Sequence, residues 1–116
     1  MSSIARTNVG KRLSDMAVHN GVAYLAGQVA EDPSQDITGQ TTQILNTIDQ
    51  LLAAAGTDKT RLLMVQIFVA NMKEFDGMNK AWDAWVPAGS APPRATIEAR
   101  LASADYKVEI VATAAI

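Results

Sequence analysis

Residues 62–70, with the sequence LLMVQIFVA, form a nine-residue run in which only Gln66 is polar. Three of its residues, Val65, Ile67 and Val69, are β-branched and favour a strand. Because side chains alternate between the two faces of a strand, both faces of this one are apolar. The run therefore predicts a strand that is buried on both sides.

Upstream of this strand, the sequence predicts a β-hairpin. Residues 16–19 and 22–28 are strand-like, and the Asn20-Gly21 pair between them is a strong signal for a two-residue turn. The polar stretch 31–36 contains a proline and indicates a loop that leads into a helix.

Two amphipathic helices are predicted, one on each side of the apolar strand in the sequence. The first runs from residue 41 to residue 55 after a cap at Thr38, with apolar residues at spacings of three and four. The second begins near Asn71 or Lys73 and ends before Pro87. Its apolar residues have the same spacing: Phe75, Met78, Trp82 and Trp85.

Two more strands complete the predicted topology. One extends from Arg94 to Leu101, because the Pro-Pro pair before it cannot join a hydrogen-bonded ladder. The last covers residues 106–114 and has one apolar and one mixed face. We therefore expect a single domain over residues 1–116, an α/β (α+β) fold with the order β-β-α-β-α-β-β. Two helices cover only one face of the sheet, so we expect partner subunits to cover the other.

Composition excludes several classes of protein. The chain has no cysteine and one histidine, so we expect neither disulfides nor a metal site. Its net charge is −2 and its basic residues are scattered, which disfavours nucleic acid as a partner. No glycine-rich phosphate loop is present, and we expect no cofactor. No apolar segment approaches the roughly 18–20 residues that span a bilayer, so we expect a cytoplasmic protein without a membrane partner.

Arg94 and Glu109 are the candidate chemical groups, because each is a charged side chain in an apolar strand. The planar guanidinium of Arg94 can hold a small carboxylic acid through two parallel hydrogen bonds, and Glu109 can activate water. Composition alone favours a structural ion pair between these two half-buried charges, and the spacing of the residues does not separate the two alternatives. His19 is best explained as a structural imidazole, and Trp82 and Trp85 as core or interface anchors.

Several motifs together resemble the RidA/YjgF family, also called the endoribonuclease L-PSP family, over nearly the whole chain. They are YLAGQ at 24–28, the helix from Ile44 to Gly56, PRAT at 93–96 and VEI at 108–110. The segment MNKAWDAWV at 78–86 resembles a less characterised branch of the family. The resemblance implies a chorismate-mutase-like fold with two helices on one face of the sheet, a homotrimer with an internal barrel, and three clefts between subunits.

The resemblance also implies roles for individual residues. Arg94 matches the arginine that holds the substrate carboxylate in the family, and Glu109 matches the glutamate that positions the hydrolytic water. Asn79 matches an asparagine near the pocket, and Thr96 stands where many deaminases of the family have cysteine. Leu13 falls where the best-known members have a tyrosine over the pocket. These two departures leave substrate size and preference open.

The function implied is hydrolytic deamination of reactive 2-enamino or 2-imino acids, such as 2-aminoacrylate and 2-iminopropanoate, to 2-oxo acids and ammonia. The chain then resembles a 2-iminobutanoate/2-iminopropanoate deaminase, with Arg94 and Glu109 as catalytic residues and Arg94, Asn79 and Thr96 binding the substrate. The alternative is a non-enzymatic module that binds a small carboxylate or keto acid. Ribonuclease or chaperone-like activity, suggested by family names, ranks last, and the acidic charge balance argues against the ribonuclease.

Overall fold

Six strands form one sheet, and two α-helices pack together on one of its faces, in the computed structural model that describes residues 3–116. The strands are β1 Ala5–Thr7, β2 Met16–His19, β3 Val22–Leu25, β4 Leu62–Val69, β5 Arg94–Glu98 and β6 Val108–Ala115. The helices are α1 Ile37–Ala54 and α2 Phe75–Trp85. The sheet order is β1-β2-β3-β6-β4-β5, with β4 and β5 parallel and the other neighbours antiparallel. Within the described residues, no helix combines the length and apolarity needed to cross a bilayer.

The predicted mixed fold is confirmed, with one strand more than expected. β1 has three residues, too few to show an alternation of apolar and polar side chains, so it leaves no strand signal in the sequence. It joins the sheet by pairing with β2, where Ala5 lies opposite Val18. The β2–β3 hairpin forms as predicted, and Asn20 and Gly21 both have positive φ, as such two-residue turns often require.

Both helices begin at residues other than the predicted ones. Asp36, rather than Thr38, caps α1, because its carboxylate accepts a hydrogen bond of 2.8 Å from the backbone N–H three residues later. The hydroxyl of Thr38 instead donates to the carbonyl of Gly77 in α2, at 2.7 Å, and so joins the two helices. Before α2, Asn71 caps a short 3₁₀ turn, Met72–Glu74, so the predicted helix start marks this turn.

The core lies between the sheet and the helices. β4 and β6 turn alternate residues toward the helices, and these are buried: Val65, Ile67, Val69, Val108, Ile110, Ala112 and Ala114. Ile44, Ile48 and Leu52 of α1 belong to the same cluster. Burial of each large aliphatic side chain stabilises the fold by about 1.5–3 kcal/mol.

The face of the sheet opposite the helices is open in a single chain. We refer to it as the open face, and it carries three apolar side chains that are about half exposed: Tyr24, Met64 and Ile97. The expectation that residues 62–70 are buried on both sides is therefore wrong for one chain. Val65 faces the core, whereas Gln66 on the opposite face is exposed.

The two C-terminal strands are separated by a longer loop than predicted. β5 ends at Glu98 and β6 begins at Val108, so residues 99–107 connect them. The buried amide of Gln40 in α1 holds this loop. Its oxygen accepts a hydrogen bond from the backbone N–H of Lys107 at 2.9 Å, and its nitrogen donates to the carbonyl of Asp105 at 3.0 Å. These bonds fix the point at which β6 begins.

Candidate functional site

Arg94 is the first residue of β5, and its side chain lies on the helix side of the sheet. In the β4–β5 register it stands beside Val65, which is buried in the core. Its Nη1 donates a hydrogen bond of 2.7 Å to Oδ1 of Asn79 in α2. Its guanidinium carbon is 5.1 Å from the ring centroid of Trp82 and 5.9 Å from that of Phe75. We refer to Arg94, Asn79, Trp82 and Phe75 as the arginine cluster.

The arginine cluster holds a cation without neutralising it. Within residues 3–116, the side-chain partners of Arg94 are a neutral amide and two aromatic rings, and none is a carboxylate. An aromatic face attracts a cation through its quadrupole but leaves the net charge unchanged. A half-buried guanidinium in such surroundings can bind an incoming carboxylate through two N–H groups.

Thr96 lies on the same side of β5 as Arg94, beside Ile67 in the register. Its hydroxyl oxygen is buried and has no hydrogen-bond partner in the part of the chain that the structure describes. A buried polar group without a partner costs about 1–3 kcal/mol. The hydroxyl therefore has a hydrogen-bonding capacity that no other described residue uses.

Glu109 lies on the open face of the sheet. It pairs with Phe68 across the β4–β6 ladder, while Val108 and Ile110 on either side of it point into the core. Its carboxylate packs against Gly27, and a methyl group on that glycine would overlap with Oε2 of Glu109. Because residue 27 is a glycine, the carboxylate of Glu109 can occupy the space that a larger side chain would fill.

A single chain does not bring Arg94 and Glu109 together. Arg94 faces α2, whereas Glu109 faces away from the helices, so the sheet lies between them. The ion-pair alternative consequently gains no support from the structure. Two surface cavities, of about 780 and about 210 Å³, are lined by neither residue. The two side chains can act on one molecule only if they come from two copies of the chain.

The loop before β2 is tied to the end of β3 by a backbone hydrogen bond. The backbone N–H of Ala26 donates to the carbonyl of Asp15 at 2.8 Å, which ties the end of this loop to the residue next to Gly27. Leu13, in the same loop, is 61% exposed. The position that the resemblance places over the pocket is thus an exposed one, two residues before the hydrogen-bonded Asp15.

His19 has a structural environment, in agreement with its interpretation from the sequence. Its Nδ1 is 3.2 Å from the carbonyl of Ser3 and its Nε2 is 3.1 Å from the side-chain nitrogen of Asn20, so a neutral ring has both nitrogens occupied. Asp32 belongs to an exposed turn, where hydrogen bonds from the hydroxyl and then the backbone N–H of Ser34 lower its pKa. Among residues 3–116, no group of three His, Asp or Glu side chains is placed to hold a metal ion.

The sequence analysis assigns no role at the site to three residues that surround the candidate groups: Phe75, Trp82 and Gly27. For the first two the helical spacing contains a signal, because residues 75, 79 and 82 are four and three apart and so share one face of α2. That face meets the start of β5. Gly27 has no comparable signal, since its role depends on a contact with Glu109 far along the chain.

Together these features define a small α+β domain with an unneutralised arginine on one side of its sheet and a glutamate packed on glycine on the other. Residues 4–116 match the model of the family described as endoribonuclease L-PSP. The chain belongs to this family, which confirms the resemblance to RidA/YjgF proteins.

Named relatives cover most of the chain. A RutC family protein from Haemophilus ducreyi is 54% identical over 113 residues, which are 97% of this chain and 97% of that protein. The crystal structure of a YjgF family member from Neisseria meningitidis has a TM-score of 0.95 and 39% identity, covering 97% of this chain and 94% of that one. A more distant relative from Arabidopsis thaliana, named Reactive Intermediate Deaminase A, is 25% identical over 85% of this chain and 52% of its own length.

Proposed function

We propose that the protein hydrolyses reactive 2-enamino and 2-imino acids, such as 2-aminoacrylate and 2-iminopropanoate, to 2-oxo acids and ammonia. The arginine cluster carries this proposal, because Arg94 is half-buried, held by Asn79 and without a carboxylate partner among residues 3–116. Membership of the family and the name of the Arabidopsis relative favour the same chemistry.

In this mechanism Arg94 binds the substrate carboxylate through its planar fork. The unpartnered hydroxyl of Thr96 and the side-chain nitrogen of Asn79 supply further hydrogen bonds beside it. The carbon of a protonated imine is already electrophilic, so the main contribution of the protein is to hold that carbon against a water molecule.

Glu109 supplies the general base. It accepts a proton from the water as the water oxygen attacks the iminium carbon, which gives a tetrahedral carbinolamine. The proton then passes to the amine nitrogen, the C–N bond breaks, and ammonia leaves with the bonding electrons. Loss of the hydroxyl proton forms the carbonyl group of the 2-oxo acid. One water is consumed for each ammonia released, and no cofactor takes part.

We place the site between copies of the chain, since one chain holds Arg94 and Glu109 on opposite sides of its sheet. The open face, with Tyr24, Met64 and Ile97 about half exposed, offers an apolar surface on which copies can pack. In a homotrimer, each copy supplies Arg94 to one neighbour and Glu109 to the other, which makes three identical sites.

Mixing two inactive variants tests this arrangement. Arg94→Ala and Glu109→Gln each remove one half of every site, so either homotrimer alone should be nearly inactive. After random reassembly from equal amounts, about one site in four combines an intact Arg94 with an intact Glu109, so about a quarter of the wild-type rate should return. The rate is measured in a coupled assay that generates several 2-imino acids in situ.

The controls separate the two parts of the proposal. If subunits have demonstrably exchanged and no activity returns, Arg94 and Glu109 do not meet across an interface. If the wild-type protein accelerates the hydrolysis of none of the imino acids, the deaminase function itself is wrong.

A module that binds small carboxylates or keto acids is the second candidate, because the arginine cluster alone is sufficient to hold a carboxylate. Calorimetry with pyruvate, combined with the imine assay, distinguishes the two. An enzyme loses turnover and keeps its affinity for pyruvate when Glu109 is changed to Gln. A binding module shows pyruvate binding and no imine turnover even in the wild type.

A further inference from the structure

The two tryptophans of α2 lie three residues apart, and each is close to a different cation. The ring centroid of Trp82 is 5.1 Å from the guanidinium carbon of Arg94, whereas that of Trp85 is 5.0 Å from Nζ of Lys59. Trp85 is also fixed by a hydrogen bond of 3.0 Å from its Nε1 to Asp49. Trp82 is 6% exposed, so its ring is held by the core while it contacts the arginine.

We infer that Trp82 is a positioning residue, which holds the guanidinium of Arg94 in the orientation that binds a carboxylate; this rests on the proposed role of Arg94. An arginine side chain has many rotamers, and ordering it on binding weakens affinity unless the free protein already holds it in place. Asn79 fixes one edge of the guanidinium through Nη1. The ring of Trp82, with its centroid 5.1 Å from the guanidinium carbon, restricts the positions that the guanidinium can take.

The neutrality of both partners matters to this role. A carboxylate at either position would hold Arg94 more tightly but would neutralise the charge that attracts an anionic substrate. A hydrogen-bond acceptor also occupies an N–H group, whereas a ring that contacts the face of the guanidinium leaves the N–H groups at its edge free. Trp82 can therefore restrain Arg94 without reducing its capacity for a two-bond contact with the ligand.

Substitutions of Trp82 should change affinity more than turnover. Trp82→Phe keeps a weaker aromatic face, so both Kd for pyruvate and KM for the imine should rise by about 2- to 5-fold. Trp82→Leu removes the aromatic face, so both constants should rise by about 5- to 30-fold. The kcat of the folded protein should change little, because Glu109 and the water are untouched. A purely structural residue would instead lower Tm and the active fraction without this ordered rise in Kd.

Trp85→Leu is the matched control, since it removes an indole of equal size from the same helix. The ring of Trp85 contacts Lys59 rather than Arg94, and it reaches the arginine cluster only through Trp82, whose ring centroid is 5.4 Å away. We expect a lower Tm and a Kd for pyruvate within about twofold of the wild type. Equal changes of Kd in Trp82→Leu and Trp85→Leu, or no change in either, would overturn the inference.

Fluorescence keeps the inference testable if Trp82→Leu does not fold. In Trp85→Phe protein, Trp82 is the single tryptophan, so its emission reports on the environment of Arg94. Pyruvate should change this emission with the Kd found by calorimetry, and the change should be absent after the further substitution Arg94→Ala.

The outcomes of the titration are distinct. Calorimetric binding of pyruvate without any change in Trp82 emission would overturn the role of Trp82 and leave the proposed function intact. Failure of the wild-type protein to bind pyruvate would contradict the role of Arg94, and the inference about Trp82 with it.

Discussion

The partners of Arg94 determine what its charge can do. A guanidinium paired with a carboxylate is largely neutralised, and removing it leaves an uncompensated charge behind. In this chain the hydrogen-bond partner is the neutral Oδ1 of Asn79, and the remaining close groups are the rings of Trp82 and Phe75. Loss of Arg94 would leave no buried carboxylate unpaired. The residue is thus better suited to binding a ligand than to supporting the fold.

Arg94→Ala should lower kcat/KM for imine hydrolysis by about 30- to 1,000-fold, because a two-bond arginine–carboxylate contact contributes about 2–4 kcal/mol. Arg94→Lys keeps the charge without the planar fork, so activity should also fall sharply. Thermal unfolding should change little in either variant, since Asn79 is neutral. Both quantities are measured on the same preparations. Near-normal hydrolysis by Arg94→Ala would contradict the mechanism, and a large loss of stability would favour a structural role.

At the scale of elements, apolar periodicity predicts the segments that bury one face against the core. It places α2 close to its observed position, while the Asn20-Gly21 turn signal places the β2–β3 hairpin and the Pro-Pro pair places the start of β5. It misses the first turn of α1, because Gln40 interrupts the apolar spacing there. The amide of Gln40 is buried and bonded to Asp105 and Lys107, which are distant in sequence, so no local pattern reveals that the position is part of the core.

The residues of the candidate site, like the helices and strands, were predictable from the sequence only in part. Arg94 stands out as a charged residue in an apolar strand, and Asn79 follows from the resemblance to the family. Their direct hydrogen bond is a tertiary contact between α2 and β5, which residue spacing along either element does not specify. That Arg94 and Glu109 lie on opposite sides of the sheet follows from the registers of β5 and β6 on β4. These registers are set by the pairing of strands that are distant in the sequence, so the sequence of each strand alone does not reveal them.

The N-terminus of α1 allows a test of the cap that the structure assigns. Asp36→Ala removes the acceptor of a backbone N–H and should lower the free energy of unfolding by about 1 kcal/mol. Asp36→Asn keeps a side-chain oxygen at the cap and should retain most of that stability. Urea denaturation of both variants measures the difference. Equal losses in the two would mean that the charge of Asp36, rather than its capping bond, stabilises the helix.

At the scale of the whole molecule, the proposed site depends on how copies of the chain meet. Arg94 begins β5, an edge strand of the described sheet, so a neighbour can approach it from the side. Glu109 lies on β6 within the sheet and can be reached only from the open face. An assembly in which the edge of one copy packs on the open face of the next would satisfy both conditions and cover the apolar side chains there.

A charge on the open face should therefore disrupt assembly without unfolding the chain. Met64 lies on that face opposite Thr113 and is 45% exposed in one chain, so Met64→Lys leaves the fold of a single copy intact but buries an unpaired charge if copies pack there. Met72, in the turn before α2, is 38% exposed and provides the matched control, because Met72→Lys adds the same charge elsewhere.

By sedimentation at micromolar concentration, the wild type and Met72→Lys should be trimers and Met64→Lys should be largely monomeric. Circular dichroism should show that all three are folded, and only Met64→Lys should lose imine hydrolysis. A monomeric wild type, or a Met64→Lys trimer with normal activity, would refute the shared site.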